Sequence, residues 1–269
     1  MKLPRIMVAP NGAHLHKSDH PAVPLTLPEI VECAAQCHAR GAGGLHLHLR
    51  DARGRHLLDP CAYRAALREL SERCPGLMVQ VTTEAAGLYS AADQRRVAFG
   101  SGARFVSVAL REMLREPGAA PAFYRRCADA GIVVQHILYD LRDARLLKNV
   151  LPPGLFRSSG LQLLFVLGRH GDVGQNGPAA LTPFLGWMAE EAIAPDWAAC
   201  AFGRLETECL LRAAKAGGKC RVGFENSILG ANGEPASGNP QRVAELHARL
   251  SAACGTARAK GPDAAHAGS

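Results

Sequence analysis

Residues 44–51 read Gly44-Leu45-His46-Leu47-His48-Leu49-Arg50-Asp51. In an extended strand, side chains at i and i+2 lie on one face. His46 and His48 therefore share a face and are expected to point the same way at a strand end. Outward from this stretch, the chain repeats apolar runs of strand length at Arg5–Ala9, Leu77–Thr82, Arg104–Ala109, Ile132–Leu138, Leu161–Leu167, Trp197–Ala201 and Cys220–Phe224. Most are continuously apolar, the pattern of parallel strands covered on both faces. Segments of helical period lie between them: Pro28–Arg40, Pro60–Arg73, Ala91–Phe99, Pro121–Ala130, Pro178–Glu190, Leu205–Ala216 and Pro240–Ala253. Several open with Pro and close near Gly, the usual start and stop chemistry of helices. Eight such strands in about 250 residues predict a single-domain α/β protein, a closed (β/α)8 TIM barrel. The rival is a doubly wound open sheet, but no GxGxxG follows the first strand. Residues 1–254 are read as the barrel and the small, polar segment 255–269 as a disordered tail.

Composition narrows the function classes. The chain has 269 residues, 48% of them hydrophobic and only 20% charged, which excludes wholesale disorder. No apolar run is long enough for a membrane span, and the amino end lacks the apolar stretch of a secretory signal. Nine cysteines without a CxxC motif suit reduced thiols and a cytoplasmic location. The net charge of +7 suits an acidic substrate or cofactor. Nucleic acid is disfavoured, because the basic residues are dispersed and aromatics are 5% of the chain.

In a (β/α)8 barrel, chemistry sits where strands end and βα loops begin. Two neutral imidazoles converging from His46 and His48 suit Zn2+ or another divalent transition metal. The last strand runs into Glu225 and Asn226. Glu225 could complete a His2Glu ligand set with an open position, or be a solvated loop residue. Arg221 falls four residues earlier on the same alternating face. A buried arginine needs an anion, and a substrate carboxylate is one. The loop after the first strand carries His14. The third strand ends at Thr82 followed by Glu84, and the fourth carries Ser107. Taken singly, Thr82 and Ser107 read as strand-end caps. Gly203-Arg204 opens a helix after the seventh strand, where Arg204 could meet a phosphate.

Together, GAGGLHLHLRD, VTTEAAG, FVLGRHGD and GGKCRVGFEN resemble the β-keto acid cleavage enzymes, over most of the chain. The resemblance implies a zinc-dependent barrel in which a β-keto acid and acetyl-CoA exchange to give acetoacetate and a new acyl-CoA. It implies that His46, His48 and Glu225 hold Zn2+, that Thr82 and Ser107 line the substrate pocket, and that the protein is a homo-oligomer, commonly a tetramer; with acetyl-CoA as co-substrate, the phosphate expected at Arg204 is that of CoA. In the family an aspartate after the metal-binding glutamate pairs with the arginine to handle a proton. Here that position is Asn226, and an amide cannot hold the proton. Glu84 is the nearest spare carboxylate. Members acting on amino-substituted substrates carry a glutamate where this chain has His14, so the expected substituent is neutral, polar or anionic. The family's acidic residues on the fifth strand appear as Gln135 and Ile137. Two alternatives stand beside this reading: a non-catalytic member that binds zinc with an acyl-CoA or keto acid, and a metal-dependent amidohydrolase recruiting His136 and His170.

Overall fold

The computed structural model describes residues 1–168 and 177–259, with side chains through 253. Eight parallel strands close a barrel in the order β1 (Ile6–Val8), β10 (Lys219–Val222), β9 (Asp196–Ala201), β8 (Gln162–Leu167), β7 (Val133–Leu138), β6 (Phe105–Ala109), β5 (Met78–Thr82) and β2 (Gly44–Leu47), which returns to β1. The expected fold is the observed one. Each predicted strand is present within one or two residues of its expected bounds, with the differences concentrated at the ends of β1, β2 and β10.

The alternation along each strand separates two apolar layers. Outward residues such as Val8, Leu45, Leu47, Val106, Leu163 and Phe165 pack under the helices. Inward residues Met7, Phe105, Leu164, Val166, Ala198 and Cys200 fill the bore. A large apolar side chain of this kind contributes roughly 1.5–3 kcal/mol when fully buried. Both faces are therefore apolar, which is why the runs are continuous in sequence.

The outer ring consists of α1 (Leu27–Ala39), α2 (Pro60–Arg73), α3 (Ala91–Gly100), α4 (Leu110–Met113), α5 (Ala120–Asp129), α6 (Leu141–Val150), α7 (Pro153–Phe156), a 3-10 turn (Pro178–Leu181), α8 (Thr182–Glu190), α9 (Glu206–Lys215) and α10 (Asn239–Ala259). Local chemistry fixes several starts. Thr26 caps α1 and Glu29 reaches back in a reciprocal capping box, and Ser90 with Asp93 does the same for α3. Asp59 caps α2 and Asp140 caps α6. Such caps contribute about 1 kcal/mol each.

Three helices were not expected from the sequence. Between β7 and β8 the chain forms α6 and α7 where no helix was assigned. The apolar stripe of α6 is narrow, Ala144 and Leu147 beside a buried Asp143, and Pro152-Pro153 interrupts the period. The short α4 directly continues β6. At the other end, α10 runs to Ala259, through the first residues of the segment read as a tail; residues 260–269 lie outside the described residues.

The strand that carries the paired histidines, expected over Gly44–Leu49, ends earlier. Strand β2 stops at Leu47, and the chain turns back through a small hairpin, β3 (Leu49–Arg50) against β4 (His56–Leu57). Asp51 builds the turn by accepting from the backbone N–H groups of Arg53 and Arg55. Arg50 then donates to the carbonyls of Asn11, Gly12 and Leu15, tying the exit of β2 to the loop after β1.

Candidate metal centre and active site

His46 ends the inward row of β2, and His48 follows in the link to the hairpin. Their Nε2 atoms lie 3.0 Å apart, and both residues are buried. Glu225 comes from the far end of the chain. Strand β10 stops at Val222 because Gly223 takes a φ of +144° and passes so close to β1 that a Cβ there would lie 2.3 Å from the Ala9 carbonyl oxygen. The following turn swings Glu225 over the bore. Gly12 makes room for it: a Cβ on Gly12 would meet the Glu225 Cγ at 2.6 Å. Glu225 Oε2 thereby lies 3.6 Å from His46 Nε2 and 3.5 Å from His48 Nε2.

Among the described residues, these three form the one group of His, Cys, Asp or Glu side chains whose ligand atoms converge for a metal. The donor set fits such an ion. Bonds of 2.0–2.1 Å in tetrahedral geometry imply donor separations of about 3.3 Å, close to those observed. Glu225 Oε2 is buried with no hydrogen-bond partner among the described residues, which would be costly if nothing charged were to meet it. Burial holds both imidazoles well below the ordinary histidine range, in the neutral form that ligation needs.

Arg221 is buried in the bore and donates to Glu225 Oε1 at 3.1 Å and to Cys200 Sγ at 3.3 Å. Burial alone would lower its pKa, but Cys200 and Glu225 more than offset that, so the guanidinium stays charged. Its Nε and Nη1 have no partner among the described residues. Asn226 sits beside Glu225 in sequence but makes no side-chain hydrogen bond among the described residues, and the arginine pairs with the glutamate.

Glu84 Oε2 approaches His48 Nε2 at 3.8 Å, and Glu84 Oε1 faces His14 Nε2 at 3.6 Å. Burial pushes the Glu84 carboxyl up, yet the facing His14 and the neighbouring imidazoles outweigh it, so it lies below the usual carboxylate value. His14 is raised in turn by Glu84. The spare carboxylate expected at this rim is therefore next to the cluster.

Two cavities continue into each other here. An inner one of about 70 Å3 is walled by His46, Thr82, Arg221 and Glu225 on one side and by Ala109, Ile137, Val166 and Phe202 on the other. An outer one of about 750 Å3 opens past His14, Leu15, Gly203, Asn226 and Leu229. Thr82 serves both as a cap, accepting from the Glu84 N–H, and as a wall of the inner cavity. Ser107 is different: its hydroxyl is buried in the bore without a partner among the described residues, and Ala109, two residues on, lines the inner cavity in its place. Arg204 is exposed on the rim before α9 and lines neither cavity.

The hydrolase alternative required His136 beside the paired imidazoles. His136 instead faces outward from β7 onto Tyr124 of α5, with ring centroids 5.0 Å apart, because odd and even positions of a strand take opposite faces. Arg169 and His170 lie outside the described residues.

Sequence reasoning missed Gln80 and Gln135 as partners of the site. Gln80 Oε1 lies 2.8 Å from His46 Nδ1, and Gln80 Nε2 donates to Gln135 Oε1 at 2.9 Å. The available signal was a lone amide inside each of two apolar strands, which has to find a partner when buried.

A profile of the family described as beta-keto acid cleavage enzyme matches residues 5–264. The chain belongs to this family. It is 24% identical over 256 residues to the 3-keto-5-aminohexanoate cleavage enzyme of Acetoanaerobium sticklandii, covering 87% of each chain. It is 26% identical to the enzyme of the same name from Fusobacterium nucleatum, covering 86% of this chain and 85% of that one. A 78-residue stretch is 35% identical to the 3-oxoadipate:acetyl-CoA acetyltransferase of Cupriavidus necator, 29% of this chain and 28% of that one. Among solved structures, apo ObcA superposes with a TM-score of 0.65 at 16% identity, over 87% of this chain and 63% of ObcA. This likeness supports the barrel fold, and the chain spans under two thirds of ObcA. No helix among the described residues is long and apolar enough to cross a membrane.

Proposed function

We propose that this protein is a zinc-dependent β-keto acid cleavage enzyme that exchanges a β-keto acid with acetyl-CoA, yielding acetoacetate and a new acyl-CoA. The observation that carries the reading is the convergence of His46, His48 and Glu225 beside a buried Arg221 with two unpartnered donor atoms, at the floor of an open cavity. Zn2+ held by the three side chains would supply a Lewis acid for the keto oxygen and favour loss of the proton between the two carbonyls.

The chain's own groups define the rest. Arg221 directs Nε and Nη1 to the substrate carboxylate, an anion that can answer its buried charge. Asn226, on the wall of the outer cavity, offers a donor and an acceptor to the thioester. Glu84, held by His14, is the carboxylate near enough to the cluster to accept a proton, the task for which Asn226 is unsuited. Thr82 lines the side of the bound keto acid. The carbon nucleophile formed by proton loss attacks the acetyl thioester, and CoA then takes the remaining acyl group as the carbon–carbon bond breaks, so every atom of both substrates reappears in the two products.

The wall of Ala109, Ile137, Val166 and Phe202 narrows the expected substituent. It carries no charge, and Tyr139 beside it adds a single phenol, so the arm beyond the keto group is read as short and uncharged. Arg204, on the rim, is assigned to the CoA phosphates. The eight described cysteines are all free, in keeping with a reducing cytoplasm. A homo-oligomer rests on family resemblance.

The test is to incubate purified protein with acetyl-CoA and a panel of β-keto acids whose arms are alkyl, ammonium-bearing or carboxylate-bearing. Acetoacetate release, best with a short alkyl arm, is expected, with one zinc per chain by metal analysis. Tight binding of zinc and substrate without any acetoacetate would instead favour the non-catalytic binding member.

A further inference from the structure

The orientation of His46 is set from outside the site, by a chain of amides whose direction is fixed at its far end. Gln135 Nε2 lies 3.3 Å from the backbone carbonyl of Leu163. A carbonyl can only accept, so the Gln135 amide must turn its NH2 toward β8 and its oxygen toward β5. That oxygen can only accept from Gln80, so Gln80 turns its NH2 to Gln135 at 2.9 Å and its own oxygen to His46 at 2.8 Å. His46 must then carry its proton on Nδ1, which leaves a bare lone pair on Nε2, the atom that faces His48 and Glu225. Gln80, Gln135 and His46 are all buried, so water does not compete for these bonds. His48 has no equivalent: its Nδ1 is buried without a partner among the described residues.

We infer that Gln135 is a positioning residue which, through Gln80, holds His46 in the one neutral tautomer able to bind a metal. The inference rests on the metal-site reading above. An amide at the second position of the relay is the requirement, since a flipped Gln80 would present NH2 to His46 and favour the tautomer with no lone pair on Nε2.

The experiment combines metal affinity with a direct view of the tautomer. Zinc affinity is measured by competition with a chelator for the wild type, Gln135→Leu, Gln80→Leu, Gln80→Glu and the Gln80→Glu/Gln135→Leu double variant. Long-range proton–nitrogen NMR of the metal-free protein reads which His46 nitrogen bears hydrogen. Gln80→Leu is expected to weaken zinc binding roughly 10- to 100-fold, as loss of a ligand's outer partner does. Gln135→Leu should weaken it roughly two- to tenfold, the worth of one hydrogen bond, and should raise the Nε2–H tautomer of His46. The carboxylate introduced by Gln80→Glu accepts from His46 whichever way it turns, so removing Gln135 in that background should leave zinc affinity unchanged.

A wild-type spectrum with hydrogen on His46 Nε2 overturns the inference, and needs no variant to fold. So does a loss on Gln135→Leu that persists in the Gln80→Glu background, which would make Gln135 merely structural. Failure of the wild type to bind zinc at all would instead overturn the metal-site reading, while the tautomer measurement still decides the relay.

Discussion

The two ends of the barrel bore are made by the same strands and the same alternation, yet they are chemically opposite. At the floor Leu3, Met7, Phe105 and Ala198 pack together, and the charges beside them are answered within the protein, Asp196 accepting from the Leu3 N–H and pairing with Lys219. The mouth gathers His46, His48, Glu84, Arg221 and Glu225, several with buried polar atoms left without partners. The floor closes the barrel and holds it; the mouth is costly to fold, a cost that an ion or a substrate would offset. Between them lies the belt of Gln80 and Gln135, polar but fully engaged. Stability and chemistry are thus divided along the bore by depth.

This division can be attacked at either end. His46→Ala should abolish tight zinc binding, an effect larger than the roughly 10- to 100-fold that an outer partner is worth, while the thermal midpoint of the metal-free protein stays near that of the wild type. Metal analysis and calorimetry check both halves; full zinc occupancy in the variant would remove the site. Phe105→Ala should do the converse, costing about 3–5 kcal/mol in denaturant unfolding through the cavity it leaves. A variant of unchanged stability would show that the floor is not where the barrel is held.

A third test concerns an imidazole outside the bore. Burial pushes His136 down to about 3, far below its ordinary value of 6.5. The folded protein therefore refuses a proton that the unfolded chain accepts. The stability tied to this group is complete above about pH 6.5 and is lost progressively as pH falls toward 3, at up to about 1.4 kcal/mol per unit. His136→Gln should flatten the unfolding free energy against pH by one proton's slope across that window. An identical slope in wild type and variant would mean that His136 is protonated in the fold.

The smallest expected effect lies at Asn226. Asn226→Asp supplies the carboxylate that the family resemblance implies after the glutamate and should raise turnover a fewfold if proton handling limits the rate. A lower rate in steady-state assays would show that the amide belongs to a working arrangement built on Glu84.

Much of this was legible in the chain itself. The continuous apolar runs revealed parallel strands buried on both faces, and their number revealed the barrel, because a period of two is a local property. The HxH pair and the arginine four residues before the glutamate were legible for the same reason. The hairpin after Leu47 was not, since it depends on Arg50 finding carbonyls in the loop after the neighbouring strand β1. Nor were the amide relay and the outward face of His136, because register between strands decides which buried groups meet. The sequence alone determined the fold class, the family and the side chains that could hold a metal. Tertiary structure decided that Glu225 reaches the two imidazoles past Gly12, that Arg221 pairs with it and not with Asn226, and that Gln135 governs His46 from three strands away. The physical reason is that periodicity is written residue by residue, whereas the partner of a buried polar atom exists only once distant strands have closed around it.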